Sequence, residues 1–199
     1  MTILETMISI TILTIVVGAA ILFLIFSNRQ YSWIDTSARI QKELRGVLQE
    51  MTIDIKEADS ISISSIPNKL IMQLPTMDIN GAIIGHDNII YEPSPTDTSN
   101  LRMTLTTSTG SSRHGWGKKI QAGNPSYWSL TVGLVNSGLT DSPPLFKYYT
   151  TNETSQLVEV SPSEATIVAV TLKSKRGSSI GKYQEGMLST SIRLRNKRE

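Results

Sequence analysis

Glu5 is the residue whose chemistry most needs an explanation in this sequence. It stands at the start of a long apolar run, and no Lys or Arg occurs before Arg29. A carboxylate in hydrocarbon costs several kcal/mol unless it is neutralised or paired. Glu5 therefore needs a partner, and the plain alternative is that it only marks the edge of a membrane span.

The rest of the chain carries no recognisable catalytic pattern. The absence of cysteine excludes disulfides, thiolate nucleophiles and cysteine-based metal sites. The two histidines, His86 and His114, lie in Gly-flanked segments typical of loops, without an adjacent acid–base pattern. No nucleophile elbow, phosphate-binding loop or zinc spacing occurs. We therefore expect no enzyme, no metal and no cofactor, and we set aside an anchored enzyme or sensor as a third class.

One acidic segment, from Asp78 to Asp87, contains oxygen ligands suitable for calcium around Asn80 and Gly81. However, Asn-Gly is also a common hairpin turn, and the acidic spacing lacks the full calcium-loop pattern. We expect a hairpin turn in this segment and no metal site.

Basic residues form two clusters near the C-terminus. The first contains Lys173, Lys175 and Arg176 with Lys182, and the second contains Arg193, Arg195, Lys197 and Arg198. Such clusters can hold DNA phosphates. They lack interleaved aromatic residues, and the net charge of +2 is too small to indicate a partner. We favour a contact with the acidic side of a neighbouring subunit over nucleic acid.

The apolar run that follows Glu5 has the length of a membrane span. Residues 6–28, TMISITILTIVVGAAILFLIFSN, include no charged residue. About 20 apolar residues cross a bilayer as a helix. A cleaved secretory signal would have a basic start and a shorter apolar core, so this segment does not fit one.

An amphipathic pattern continues beyond the apolar run and predicts one helix from near Thr2 to Ala58. At 1.5 Å per residue this helix would be about 80 Å long, so its second half must pack on something other than lipid. The alternative is an anchor followed by a separate helix or coiled coil, with a break near Asn28. The predicted buried stripe, at steps of three and four, is Ile34, Ala38, Gln41, Leu44, Leu48, Met51, Ile55 and Ala58.

The remainder of the chain predicts a β-rich head with short antiparallel strands. A chain of 199 residues suits one such head, which gives an α+β fold with three parts: residues 1–28, 29–59 and 60–199. The predicted strands are Ile61–Ile66, Leu70–Leu74, Asn88–Glu92, Leu101–Thr107, Ser129–Val135, Phe146–Thr150, Ile167–Lys173 and Met187–Leu194.

The segment MTILETMISITIL resembles the start of mature type IV pilins and type II secretion pseudopilins. That family has a glutamate at the fifth mature residue and a long apolar helix, although it more often has Phe where this chain has Met1. The resemblance implies a lollipop fold, removal of a leader peptide and N-methylation of the Met1 amine. It also implies that Glu5 meets the N-terminal amine of a neighbouring subunit in a filament core.

The same resemblance implies where the chain resides and what it contacts. The span holds the subunit in the bacterial inner membrane until the pilus assembly platform passes it to an extracellular or periplasmic filament of itself or related pilins. In some family filaments part of the apolar helix melts, which here corresponds to Thr14 to Leu22 around Gly18. We place the melting there because Gly costs about 1 kcal/mol in a helix relative to Ala.

The head more loosely resembles the larger minor pilins and J-type pseudopilins. The similarity lies in IDIKEA, in MDINGAIIGHDNIIYEP leading to NLRMTL, and in STSIRLRN. We therefore expect a structural filament subunit. The alternative is a minor tip or priming pseudopilin, or a minor pilin for DNA uptake or adhesion.

Overall fold

A computed structural model describes residues 2–77, 80–95, 100–108, 114–115, 118–119, 126–131, 134, 143–152, 154–177 and 183–195. Within these residues one helix precedes a β-rich head. The helix is α1, Ile3–Glu57. The strands are β1 Ser60–Ile61, β2 Leu70–Met77, β3 Ile83–Pro93, β4 Leu101–Thr106, β5 His114–Gly115, β6 Lys118–Lys119, β7 Ser126–Thr131, β8 Phe146–Thr151, β9 Leu157–Glu159, β10 Ile167–Gly177 and β11 Tyr183–Arg193.

The helix α1 is continuous over 55 residues, which confirms the predicted single helix and excludes a break near Asn28. No proline interrupts it, because the first proline of the chain is Pro67. Thr2 caps its N-terminus, and Ala58 adopts an extended backbone that ends it. The chain then enters strand β1 one residue later, so the end of the helix also sets the start of the head.

The buried stripe of α1 differs from the predicted one in its first two turns. Ile40 and Val47 are buried, whereas Ile34, Ala38 and Gln41 are exposed. Ile34 lies ten residues before the buried Leu44, and ten residues fall about 80° short of three full turns. The remaining members of the stripe were predicted correctly: Leu44, Leu48, Met51, Ile55 and Ala58 are all buried.

The head contains two antiparallel sheets that share one core with the second half of α1. One sheet has the order β1-β2-β3-β4-β7, and the other has the order β11-β10-β8-β9. Leu134, which follows β7 in the chain, forms an isolated bridge with Ser174 of β10. The helix contacts β11 most extensively and also packs on β10, β2 and β7. The predicted α+β fold, a long helix on an antiparallel sheet head, is therefore confirmed.

Most predicted strands overlap an observed strand but differ from it in length, and β5, β6 and β9 were not predicted. The predicted strand Ile61–Ile66 is wrong beyond Ile61, because the chain turns at Ser62 and the Ser65 hydroxyl bonds to the backbone of Ile71. Serine side chains that satisfy backbone groups compete with a strand ladder in this way. Val135, the predicted end of another strand, lies outside the described residues.

Strand β11 runs beside α1 in the same direction. The Gln184 side-chain Nε2 donates to the Trp33 carbonyl at 2.9 Å, and the Arg195 backbone N–H donates to the Lys56 carbonyl at 3.2 Å. The 11 residues between the two strand positions span about 36 Å at 3.3 Å each. The 23 residues between the helix positions span about 35 Å at 1.5 Å each. The two elements therefore stay in register along the whole docked half of the helix.

Candidate functional site

The first half of α1 has no packing partner within the described chain. Its side chains are exposed from Thr2 to Phe26 except for partial cover at Gly18. The helix is long and apolar enough, by length and composition, to cross a membrane. Apolar side chains of this number do not stay in water in a soluble monomer. The helix half from Ile3 to Asn28 is therefore the strongest candidate for an interaction site in the molecule.

The hydroxyl groups of Thr6, Thr11 and Thr14 in this half donate to carbonyls one turn earlier in the helix. Thr11 Oγ1 donates to the Met7 carbonyl and Thr14 Oγ1 donates to the Ile10 carbonyl, both at 2.8 Å. A polar group that keeps its hydrogen bond inside the helix can enter hydrocarbon without a large desolvation cost. These threonines are therefore compatible with an apolar environment on every side of the helix.

Glu5 is bonded within its own chain. The Thr2 backbone N–H donates to Glu5 Oε2 at 2.8 Å, and the Glu5 backbone N–H donates to Thr2 Oγ1 at 3.4 Å. This reciprocal pair is a capping box, which satisfies two donors that a helix start leaves open. Our sequence reasoning missed this local partner, although the spacing Thr-x-x-Glu before an apolar run is its usual signature.

The carboxylate nevertheless keeps room for a second partner. Glu5 is exposed, and its second oxygen, Oε1, adds acceptor capacity beyond the capping contact. An ammonium group from another chain could bind there while the capping box stays intact. The Met1 amine of this chain lies outside the described residues, so the predicted pairing and methylation of Met1 stay predictions.

The helix is intact through the segment Thr14 to Leu22, including Gly18. A Cβ added at Gly18 would meet no atom within 4 Å, so close packing inside this chain does not require glycine there. The predicted melting concerns an assembled filament and stays a prediction. The absence of a steric need leaves low helix propensity as the physical effect of Gly18.

The described cations of the first basic cluster are paired with two acidic neighbours, which offset part of their charge. Glu185 contacts Lys173 Nζ at 2.9 Å and Lys175 Nζ at 3.3 Å, while Arg176 contacts Glu43 of the helix at 2.9 Å. Hydrogen bonds from the two lysines lower the pKa of Glu185 below its ordinary value, so the carboxylate stays charged. This cluster offers DNA less positive charge than its sequence indicates.

The second basic cluster lies at the opposite end of the same strand pair. Arg193 pairs with Ile167, whereas Arg176 pairs with Gln184. Nine residues of strand separate Arg176 from Ile167, which corresponds to about 30 Å. Arg195 also lies at the far end, where its backbone bonds to Lys56. The described members of the two clusters therefore do not form one phosphate-binding surface, while Lys182, Lys197 and Arg198 lie outside the described residues.

The described residues that were considered for metal or acid–base chemistry make contacts within the head. Asp87 is fully buried and accepts hydrogen bonds from the Ser108 backbone N–H at 2.8 Å and its hydroxyl at 3.2 Å. His86 lies in strand β3, not in a loop as predicted, and its Nε2 is 3.6 Å from Asp59. Gly81 has φ +82, as expected for the Asn-Gly turn, while Asp78 is outside the described residues. No cluster of three His, Cys, Asp or Glu side chains suited to a metal occurs in the described ranges.

A buried polar contact attaches the helix to the first sheet. Tyr91 is fully buried, and its hydroxyl donates to Asp54 Oδ2 at 2.6 Å. Burial, followed by the charge of Asp54, raises the pKa of Tyr91 well above its ordinary value. The contact fixes the C-terminal half of α1 on strand β3, and it therefore helps to set the direction in which the apolar half projects.

No protein-family model, curated protein or solved structure matches this chain. One helix that is apolar and exposed in its first half packs its second half on an antiparallel β head. That architecture is pilin-like.

Proposed function

We propose that this chain is a structural subunit of a type IV pilus-like filament, and not an enzyme. The single observation that supports it best is the uninterrupted helix α1, exposed and apolar from Ile3 to Phe26 and docked on the head from Ile40 to Ile55. Such a helix can serve as a membrane span in the free subunit. The same surface can then form the core of a helical bundle when subunits assemble.

Glu5 gives the assembly step its register in this proposal. The capping box occupies one face of the carboxylate, and the amine of the neighbouring subunit's first residue binds the exposed side. Two charges that are costly singly in an apolar environment attract strongly at low dielectric. This pairing selects one axial position among the many in which two apolar helices could pack.

The alternative function, a minor subunit for DNA uptake, receives less support from the geometry. Lys173, Lys175 and Arg176 are engaged by Glu185 and Glu43, and the remaining cluster is about 30 Å away along the strands. A minor tip or priming subunit that does not bind DNA has the same architecture as a major subunit. Abundance in the filament distinguishes these two forms of the proposal.

The test is negative-stain electron microscopy of filaments from cells that produce this chain, combined with immunogold labelling of the head. Labelling along the whole filament, with a mass per length accounted for by this chain, would support a major subunit. Labelling confined to filament ends would support a minor subunit. If no filament carries the label, although the chain is present in the membrane fraction, the proposed function is wrong.

A further inference from the structure

The ends of strands β10 and β11 lie beside the point at which α1 leaves its apolar run. The last pair of this hairpin that the structure describes is Gly177 opposite Tyr183. Its neighbour Gln184 is buried and bonds to the carbonyl of Trp33. Since β11 runs parallel to the helix, these strand ends are the part of the second sheet closest to the apolar half.

The distance of these strand ends from the hydrocarbon core of a membrane follows from the rise of the helix per residue. Trp33 is five residues beyond Asn28, the end of the uncharged run, which places it about 8 Å further along the helix axis. The polar headgroup layer of a bilayer is about 5–8 Å thick on each side of the hydrocarbon core. The strand ends therefore reach the headgroup layer when residues 6–28 span the membrane.

The side chains at this height are the kinds that favour a membrane interface. Tyr31, Trp33 and Tyr183 are 72%, 55% and 71% exposed. Large aromatic rings with a polar atom are enriched at headgroup level, where one part of the ring meets lipid and the other meets water. Tyr31 also shares a shallow groove on the helix with Phe23 and Phe26 of the apolar run. The Tyr31 ring is thus continuous with the aromatic rings at the end of the span.

The described cations of the two strand ends, Lys175 and Arg176, are already paired and do not supply the attraction to lipid. Lys175 lies 5.1 Å from the centroid of the Tyr183 ring and 3.3 Å from Glu185, and Arg176 is paired with Glu43. A polybasic surface that binds anionic lipid needs cations that are not already neutralised. Contact through the aromatic rings should therefore depend little on anionic lipid.

We propose that Tyr31, Trp33 and Tyr183 form an aromatic foot with which the head rests on the lipid headgroups of the membrane that its helix spans. This inference rests on the membrane span of the proposed function, but not on filament assembly. The foot fixes the tilt and rotation of the head on the membrane before a subunit is recruited. The assembly machinery would then meet every subunit in one orientation.

The test uses nitroxide labels on the full-length chain in nanodiscs. The chain contains no cysteine, so each introduced cysteine is a unique labelling site. Gly177→Cys reports the foot, and an added Cβ there meets only ordinary contacts with Tyr183. Leu13→Cys reports the span. Ser161→Cys reports the end of the head that is far from the membrane. Ser161 precedes a turn at this end, where the Arg195 backbone bonds to Lys56, about 35 Å along the helix from Trp33.

The measurement is the ratio of oxygen to nickel-chelate accessibility at each label, which rises with depth in a bilayer. We expect the highest ratio at position 13, an aqueous value at position 161, and a ratio several-fold above the aqueous value at position 177. Adding Tyr183→Ser to the Gly177→Cys chain should lower the ratio at 177 toward the aqueous value. An aqueous ratio at 177 beside a hydrocarbon ratio at 13 would overturn the foot and leave the span intact. An aqueous ratio at 13 would overturn the span together with the foot.

Lipid composition separates the aromatic mechanism from an electrostatic one. The experiment is repeated in nanodiscs of pure phosphatidylcholine and of phosphatidylcholine mixed with phosphatidylglycerol. The proposal expects the same elevated ratio at position 177 in both. If the contact disappears without the anionic lipid, or survives Tyr183→Ser unchanged, the assignment to the aromatic rings is wrong.

Discussion

The two halves of α1 share one backbone and have opposite surroundings. From Ile40 to Ile55 an apolar stripe is covered by the sheets, whereas from Ile3 to Phe26 apolar side chains point outward on all sides. Hydrogen bonds within the helix maintain both halves equally. The difference shows that continuity of a helix carries no information about its partner, which must be inferred from the pattern of exposed and buried side chains.

The docked half of α1 is attached to the head at several points, and this fixes the direction of the exposed half. The Tyr91 hydroxyl donates a hydrogen bond to Asp54, and the Gln184 side chain donates one to the Trp33 carbonyl. Arg176 forms an ion pair with Glu43. These contacts come from both sheets and are spread over more than 20 helix residues. The head therefore cannot rotate about the helix without breaking several of them, and the direction of the apolar half is fixed relative to the head.

The largest expected difference in stability is between two leucine-to-alanine variants, one in each half of the helix. Leu44 is fully buried, so Leu44→Ala should lower the free energy of unfolding of the head by about 2–5 kcal/mol. Leu24 is 61% exposed, so Leu24→Ala should leave it within about 0.5 kcal/mol. Urea denaturation of the full-length chain in detergent micelles, followed by tryptophan fluorescence, measures both. Equal effects of the two variants would contradict the separate roles of the halves.

The contact between Tyr91 and Asp54 should make a smaller contribution to the free energy of unfolding, and this contribution should depend on pH. Tyr91→Phe removes a hydrogen bond to a charged group and should cost about 1.5–3 kcal/mol. Because folding raises the Tyr91 pKa above its ordinary 10.0, its stabilisation is complete below pH 10 and is lost as pH rises further. Urea midpoints measured from pH 8 to 11 should fall less steeply above pH 10 in Tyr91→Phe than in wild type.

Tyr183→Phe is the matched control for this experiment, because Tyr183 is exposed and its ring is retained. It should leave both the midpoint and its alkaline slope unchanged. An alkaline slope in Tyr91→Phe as steep as that of wild type would assign the transition to other groups.

The smallest expected difference in stability is between alanine variants of two glycines in the β10–β11 hairpin. A Cβ at Gly186 would lie 2.6 Å from Ile40 Cγ2, so Gly186→Ala should displace the helix or the strand and cost about 1–3 kcal/mol. A Cβ at Gly177 would meet Tyr183 Cε1 at an ordinary 3.7 Å, so Gly177→Ala should be close to neutral. The same urea denaturation checks both, and a neutral Gly186→Ala would show that the packing of α1 on β11 is looser than described.

The sequence predicts the helix well because its signals are local. Thr2 and Ala58 delimit α1 as expected, and the apolar spacing identifies most of the docked stripe. Ile34 was included wrongly because it lies about 80° away from Leu44 around the helix, whereas Ile40 lies one turn before Leu44 on the same face. The sheet itself reaches past Ile34, since Gln184 bonds to the Trp33 carbonyl.

The strands were harder to predict where the burial pattern is weak. Strands β10 and β11 extend past their apolar parts through Lys175 opposite Glu185, where a cross-strand charge pair and the ladder itself hold the strands together. Strand β9 has only three residues, all exposed, and it is held by its ladder with β8. The same charge pairing explains why the first basic cluster looked available for phosphate in the sequence, whereas its described cations are in ion pairs in the structure.

The capping box at Glu5 could have been predicted, and it sharpens the test of the central claim. Glu5→Gln keeps the capping hydrogen bond, since Gln also serves at this position, but it deletes the charge. Thr2→Ala is the matched control, because it removes the cap at a cost of about 1 kcal/mol and keeps the carboxylate. Each variant is expected to enter the membrane as wild type does.

The measurement that tests the account most directly is filament yield from these variants, with the membrane-inserted fraction of each chain as reference. If Glu5 recruits a neighbour's amine, Glu5→Gln should abolish nearly all assembly. The unpaired amine would then cost several kcal/mol per subunit in the filament core. Thr2→Ala should assemble close to wild type. If Glu5→Gln builds filaments at the wild-type level, the carboxylate only caps its own helix and the proposed assembly mechanism is wrong.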